Sequence, residues 1–189
     1  SAVESEAAFP DLVELYNGGP EAVSLSGMSL SDDPQQPAKF VFPTGMTLNP
    51  GAYLVLIADG DATASERHLG FALADEGDGV YLYDAAGGLV DSVEFGAQIP
   101  ELSIGRVGPD NSWQLTVPTL GRANVPQPCG DPGLVRINEW LASETVLFES
   151  DFIELYNPDP LPVDVGEFYL TDIASVEPVP HRLRPLSFV

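Results

Sequence analysis

The 189-residue chain is 44 % hydrophobic and 9 % aromatic, with 18 Gly, 18 Pro and a single Cys. Seven Lys and Arg against 29 Asp and Glu leave a formal net charge of −22. A surface that negative repels phosphate backbones and anionic lipid, which excludes nucleic acid and predicts no membrane insertion.

The acidity is spread along the chain. The first 124 residues hold 4 basic and 18 acidic side chains and the remainder 3 and 11, so it belongs to the whole surface and not to a tail. Such a surface suits a salty medium, and calcium is the cation it would attract. Gly and Pro at this level break element interiors and punctuate turns, which predicts short strands. The two stretches with room for helical turns, 62–67 and 139–148, lack sustained 3.6-residue periodicity. No apolar run approaches the roughly 20 residues of a membrane helix. No leader is recognisable, and the sequence reads as a piece of a longer chain.

In chain order, Leu12 to Asn17 alternates Val13 and Leu15 against Glu14 and Tyr16, the pattern of a strand with one buried face. Gly18-Gly19-Pro20 turns the chain. Val23, Leu25, Met28 and Leu30 then point inward, with Ser24, Ser26 and Ser29 outward. Lys39 to Phe42 is a short strand ended by Pro43. Asn49-Pro50-Gly51 is a turn, and Ala52 to Ala58 reads as a central strand buried on both faces. Gly79 to Asp84 and Gly88 to Phe95 flank Ala85-Ala86-Gly87, a hairpin loop. Short strands at this spacing predict an all-β chain, an immunoglobulin-like antiparallel β-sandwich.

An internal repeat organises the rest. Asp11-Leu-Val-Glu-Leu-Tyr-Asn17 recurs as Asp151-Phe-Ile-Glu-Leu-Tyr-Asn157, and Val23 to Asp32 recurs as Val163 to Asp172, both at a constant offset of 140. A weaker echo sets Phe40-Val-Phe-Pro43 against Arg182-Leu-Arg-Pro185. That period is a domain's length and too long for a solenoid unit. The expected organisation is one copy over 1–124, a Pro/Gly linker over 125–133 and the first part of a second copy over 134–189. Cys129 lies in the linker. Alone, it excludes an intrachain disulfide and any multi-Cys zinc site, and it reads as an inert thiol or as a bridge to a cysteine elsewhere.

The repeated Asp-x-(Val/Ile)-Glu-Leu-Tyr-Asn strand with its downstream Leu-Ser-Asp or Leu-Thr-Asp resembles the lamin tail domain. Leu69-Gly-Phe71, Gly79 to Asp84 and Val90 to Val93 are similar to that family's later hairpin. Gly105-Arg106, Pro109 to Trp113 and Pro118 to Asn124 are similar to its closing segment, and Val135 to Trp140 to its opening strand. Ser1 to Pro10 contains no comparable opening strand. The resemblance implies an immunoglobulin-like sandwich of the bacterial extracellular type: a non-catalytic module that tethers or positions a protein or cell-surface partner. The alternatives are a structural spacer or a self-associating repeat, with a strand-exchanged homodimer as one form.

Catalytic constellations are missing from the pattern. The two histidines, His68 and His181, sit in loop-like contexts, no Gly-x-Ser-x-Gly elbow occurs, and Gly77-Asp78-Gly79 would repel phosphate. No enzyme is predicted, and no cofactor. Glu14 and Glu154 recur at one repeat position and read as acceptors of structural hydrogen bonds. Calcium is the one metal the sequence brings forward. Asp59 and Asp61, and Asp75, Glu76 and Asp78, each place hard oxygen ligands in one loop, without the spacing of an EF-hand.

Overall fold

The computed structural model describes residues 10–61, 66–142, 151–172 and 181–189. Two compact units account for them. The first comprises residues up to Ala74, Asp78–Val93 and Thr119–Ala123; the second comprises Asp75–Gly77, Glu94–Pro118 and Asn124–Val189. Residues 94–118, which precede the Pro/Gly stretch in sequence, thus belong to the second unit. The strands are short, the sheets are antiparallel, and the architecture is the immunoglobulin-like β-sandwich.

The first unit is built from β1 (Asp11–Tyr16), β2 (Val23–Ser24), β3 (Ser29–Ser31), β4 (Phe40–Val41), β5 (Thr47–Leu48), β6 (Tyr53–Ala58), β7 (Asp78–Tyr83) and β8 (Leu89–Phe95, whose last two residues count with the second unit). One sheet has the order β4-β3-β7-β8, and the pairs β1-β6 and β2-β5 complete the set. Between them lies a core of Leu25, Leu30, Phe42, Leu48, Leu54, Leu56, Ala58, Leu69 and Phe71, with Val13 and Leu15 packed against it. Burying such side chains stabilises by about 1.5–3 kcal/mol each, which lets short strands with few ladder bonds hold together.

Three features differ from the sequence reading. β6 is not buried on both faces: Leu54, Leu56 and Ala58 are buried while Tyr53, Val55 and Ile57 are half-buried. Its strand partner is β1, with the 67–69 segment bridged to Ile57 beyond it, so one face alone meets the core. Val23 is exposed, whereas Ser29 and Ser31 are buried, because β3 is the inner strand between β4 and β7 and both its edges are paired. Ser31 satisfies its hydroxyl locally, donating to the Asp33 carbonyl (2.9 Å) and accepting from the Asp33 amide (3.0 Å). Glu139 to Leu141, within one of the stretches with room for helical turns, is extended. Residues 62–65 and 143–148 of those stretches, and 1–9 of the N-terminus, lie outside the described residues.

Turns follow their chemistry. Pro50 and Gly51 occupy the centre of a turn closed by the Ala52 amide on the Asn49 carbonyl (3.0 Å), with Gly51 at φ 70°. The β7–β8 loop closes on Asp84, whose Oδ1 accepts from the amides of Ala86 and Gly88 (both 2.8 Å).

The second unit contains β9 (Ser103–Val107), β10 (Ser112–Val117), β11 (Val125–Pro126), a 3₁₀ turn at Pro132–Leu134, β12 (Arg136–Leu141), β13 (Phe152–Tyr156), β14 (Tyr169–Leu170) and β15 (His181–Arg182). β9 and β10 form a hairpin extended by β11, and Arg106 stacks its guanidinium on Trp113 at 4.2 Å. Phe95, Leu115, Val163, Val165 and Phe188 are buried here. Residues 185–188 run beside 96–98: the Gly96 amide donates to the Pro185 carbonyl (2.9 Å) and the Phe188 amide to that of Ala97 (2.9 Å).

Hydrogen bonds of the second unit reproduce those of the first. Leu25 donates to the Met46 carbonyl (3.0 Å) as Val165 does to that of Ser187 (2.9 Å). Phe42 donates to Met28 (2.9 Å) as Leu183 does to Phe168 (2.8 Å). The pair Leu30–Phe40 has its counterpart in Leu170–His181. The offset is therefore 141 in the later strand, which corrects the Phe40–Arg182 echo by one residue. A single-residue change of register exchanges the two faces of a strand, so Phe42 corresponds to Leu183 and not to Arg184.

Candidate interaction surface

The repeated motif ends in asparagine. Asn17 is 6 % exposed, and its Nδ2 donates to the carbonyls of Glu21 (2.8 Å) and Leu48 (2.9 Å) while its Oδ1 accepts from the Gly19 amide (3.0 Å). Its backbone is also engaged, with the Ala52 carbonyl (3.1 Å) and the Gly51 amide (2.8 Å). Every polar atom of the residue thus has a partner, as burial requires. Asn157 repeats the side-chain pattern, donating to Leu161 and Val189 (both 2.9 Å) and accepting from Asp159 (2.8 Å).

Each preceding strand meets a different neighbour. β1 pairs with β6 in the register Asp11–Ala58 to Tyr16–Tyr53, and the rings of Tyr16 and Tyr53 stack at 4.6 Å. Glu14, on the face away from the core, accepts from the Gly121 amide (2.6 Å). Glu154 accepts from Nδ2 of Asn138 (3.0 Å). Both glutamates are hydrogen-bond acceptors, as read from their position in the repeat.

β13 pairs with β12 alone among the described strands. The register sets Ile137 against Leu155 and Trp140 against Ile153, with a bulge between Ile137 and Glu139. Residues three apart normally face opposite sides of a strand. The bulge removes that difference and puts Ile137 and Trp140 on one face with Ile153 and Leu155. In β1 the matching residues Val13 and Leu15 pack on the core, whereas Ile137 is 61 %, Trp140 69 % and Ile153 52 % exposed. Sequence reading found both strands but not this surface. The three-residue spacing of Ile137 and Trp140 was the available signal, and it is unreadable without the bulge.

Carboxylates among the candidate calcium ligands take part in local hydrogen bonds. Asp59 spends Oδ1 on the Asp61 amide (3.0 Å) and Oδ2 on Nδ1 of His68 (2.8 Å), and these contacts, the amide first, hold its carboxyl below the usual aspartate range. Asp78 accepts from the amides of Ala74 (3.1 Å) and Gly79 (2.8 Å). The Asp75 backbone carbonyl accepts from the Gln98 amide (3.0 Å), and Asp75 and Glu76 count with the second unit while Asp59, Asp61 and Asp78 count with the first. Among the described residues, no three His, Cys, Asp or Glu side chains are grouped to hold a metal ion. His181 lies on β15, and Cys129 is a free, exposed thiol whose pKa is raised by burial and by Asp164. No helix among the described residues is long and apolar enough to cross a membrane.

A model of the Lamin Tail Domain matches residues 2–97, just over half of the chain. The chain belongs to the lamin tail domain family. Lamin tail domains are immunoglobulin-like protein-interaction domains and are generally non-enzymatic. The matched segment takes in all of β1 to β8, while β9 to β15 follow it. It begins at residue 2, in the stretch where no opening strand is recognisable from sequence. No curated protein and no solved structure matches the chain.

Proposed function

We propose that this chain is a non-catalytic interaction and tethering module of a larger exported bacterial protein, working at the cell surface or outside the cell. In this reading residues 1–124 form one lamin-tail copy, 125–133 a linker, and 134–189 the first part of another. The observation that carries it is the shared wiring of Asn17 and Asn157, which lies partly beyond the family match and gives the second stretch the same turn geometry. Fluorescently labelled chain added to envelopes of the source bacterium tests the proposal. Saturable retention that is lost when the envelopes are treated with protease supports it, and absence of retention overturns it.

Self-association is the second reading, favoured by the exposed apolar face of β12 and β13. Mass by light scattering decides it: a dimer supports strand exchange and a monomer removes it. The module needs no cofactor in either reading. Melting curves with and without millimolar calcium, about the affinity range of extracellular calcium modules, test the two acidic loops, and a raised melting temperature would add calcium as a ligand.

A further inference from the structure

We propose that residues 185–188 of the second copy are a docking edge for the segment that follows β8 in the copy before it, so that successive lamin-tail copies engage by strand addition. The element recognised is a short strand led by glycine, here Gly96-Ala97-Gln98. The proposal rests on the tandem-copy reading and goes beyond it by naming where one copy takes hold of the next.

All of the contacts lie within the second unit. Gly96 donates its amide to the Pro185 carbonyl, and Ala97 accepts from the Phe188 amide (both 2.9 Å). Gln98 donates Nε2 to the carbonyls of Leu186 (2.9 Å) and Gly96 (2.7 Å), and its amide to the Asp75 carbonyl (3.0 Å). A side chain on Gly96 would strike Ser187, so only glycine brings the two backbones this near.

The first copy shows that the edge is an addition to the fold. There β5 pairs with β2 alone among the described strands, and the residues of the edge differ. At the offset of 141, half-buried Met46 becomes Ser187 and exposed Thr47 becomes Phe188, which is 4 % exposed. Serine makes room for Gly96, and phenylalanine adds a buried apolar residue where the backbone bonds Ala97. Gly45 at φ 91° becomes Leu186 at φ 51°, a left-handed residue with a side chain, whose carbonyl Gln98 holds. Such strain persists where the surrounding contacts over-determine the backbone. An added strand gains affinity from its main-chain hydrogen bonds and specificity from the side chains around them. The second copy departs from the first at the residues that meet the added strand.

Hydrogen exchange read residue by residue on the whole chain tests the proposal. Gln98→Ala should quicken exchange at the Phe188 amide about fivefold and leave Leu54 and Leu56 of the first copy unchanged. Gly96→Val should quicken it further. The peptide Ser-Val-Glu-Phe-Gly-Ala-Gln-Ile-Pro, the sequence of residues 92–100, should then restore protection at Phe188 saturably when added to that variant. The same peptide with valine in place of its glycine should restore nothing. Unchanged exchange in Gln98→Ala, an equal loss at Leu54 and Leu56, or equal rescue by both peptides or by neither overturns the proposal. Envelope retention with a negative exchange result overturns the docking edge alone, and lost retention with a positive one overturns the tethering reading alone.

Discussion

Asn17 and Asn157 fasten their strands by the same three side-chain hydrogen bonds: to the carbonyl four residues on, to a carbonyl from a distant segment, and from the amide two residues on. The distant acceptors are Leu48 and Val189. Neither a Ser nor a Leu could replace this group, because only a carboxamide offers two donors and an acceptor at once.

Asn17→Ala should destabilise the first unit by about 2–3 kcal/mol, since it strips a donor from the buried contact with the Leu48 carbonyl and adds a void. Asn157→Ala should cost about 1 kcal/mol, its contacts being nearer solvent. Urea denaturation of both variants checks the ranking, and equal losses would contradict it.

Gly27 sits at φ 76° and its counterpart Glu167 at φ 69°. Gly27→Ala should cost about 1 kcal/mol for the left-handed backbone. Glu167→Gly should stay within about 0.5 kcal/mol of the parent, because relief of that strain is offset by a freer unfolded chain and by the lost ion pair with Arg182, whose partners are half-exposed. Paired thermal melts measure both.

Gly96 leaves no room for a side chain: a Cβ there would stand 1.9 Å from Oγ of Ser187. Gly96→Ala should cost about 2–3 kcal/mol by overpacking. It should also speed hydrogen exchange at Phe188, whose amide bonds to Ala97. Unchanged exchange would mean that the segment 185–188 does not depend on this contact.

The Asp59 carboxyl is held below its ordinary value by the Asp61 amide and then by His68. A depressed carboxylate contributes stability above the unfolded aspartate value and loses it as pH falls through the lower, folded value. Carbon-detected NMR should therefore place the Asp59 titration below that of an aspartate peptide, and Asp59→Asn should flatten the acid limb of stability. An ordinary midpoint would remove this contribution.

Burial, and then Asp164, raises the pKa of Cys129. Less thiolate is present at about pH 8, so iodoacetamide should alkylate it more slowly than a free cysteine peptide. Asp164→Asn should shorten the difference, and a rate above the peptide's would contradict the assignment.

Much of the first unit was readable because its strands alternate in step with burial. Val13 and Leu15, Gly87 in its hairpin loop and Gly51 in its turn all stand where local pattern and turn chemistry put them. Ser29 was misread because a serine carries no sign of lying between two strands. Val55 and Ile57 look like core from composition, yet β6 meets the core with one face. The amide hydrogen bonds accepted by the carboxylates of Asp59 and Asp78 carry no periodic signal in the sequence.

The sequence by itself determined the all-β class, the acidic surface and the repeated Asn-terminated strand, since these depend on local periodicity and on side-chain chemistry. Tertiary structure alone decided the one-residue register of β15, the bulge that aligns Ile137 with Trp140, and the close approach of Gly96 to Ser187. Each of these depends on which backbones lie side by side, and residues distant in the chain carry no periodic signal of that.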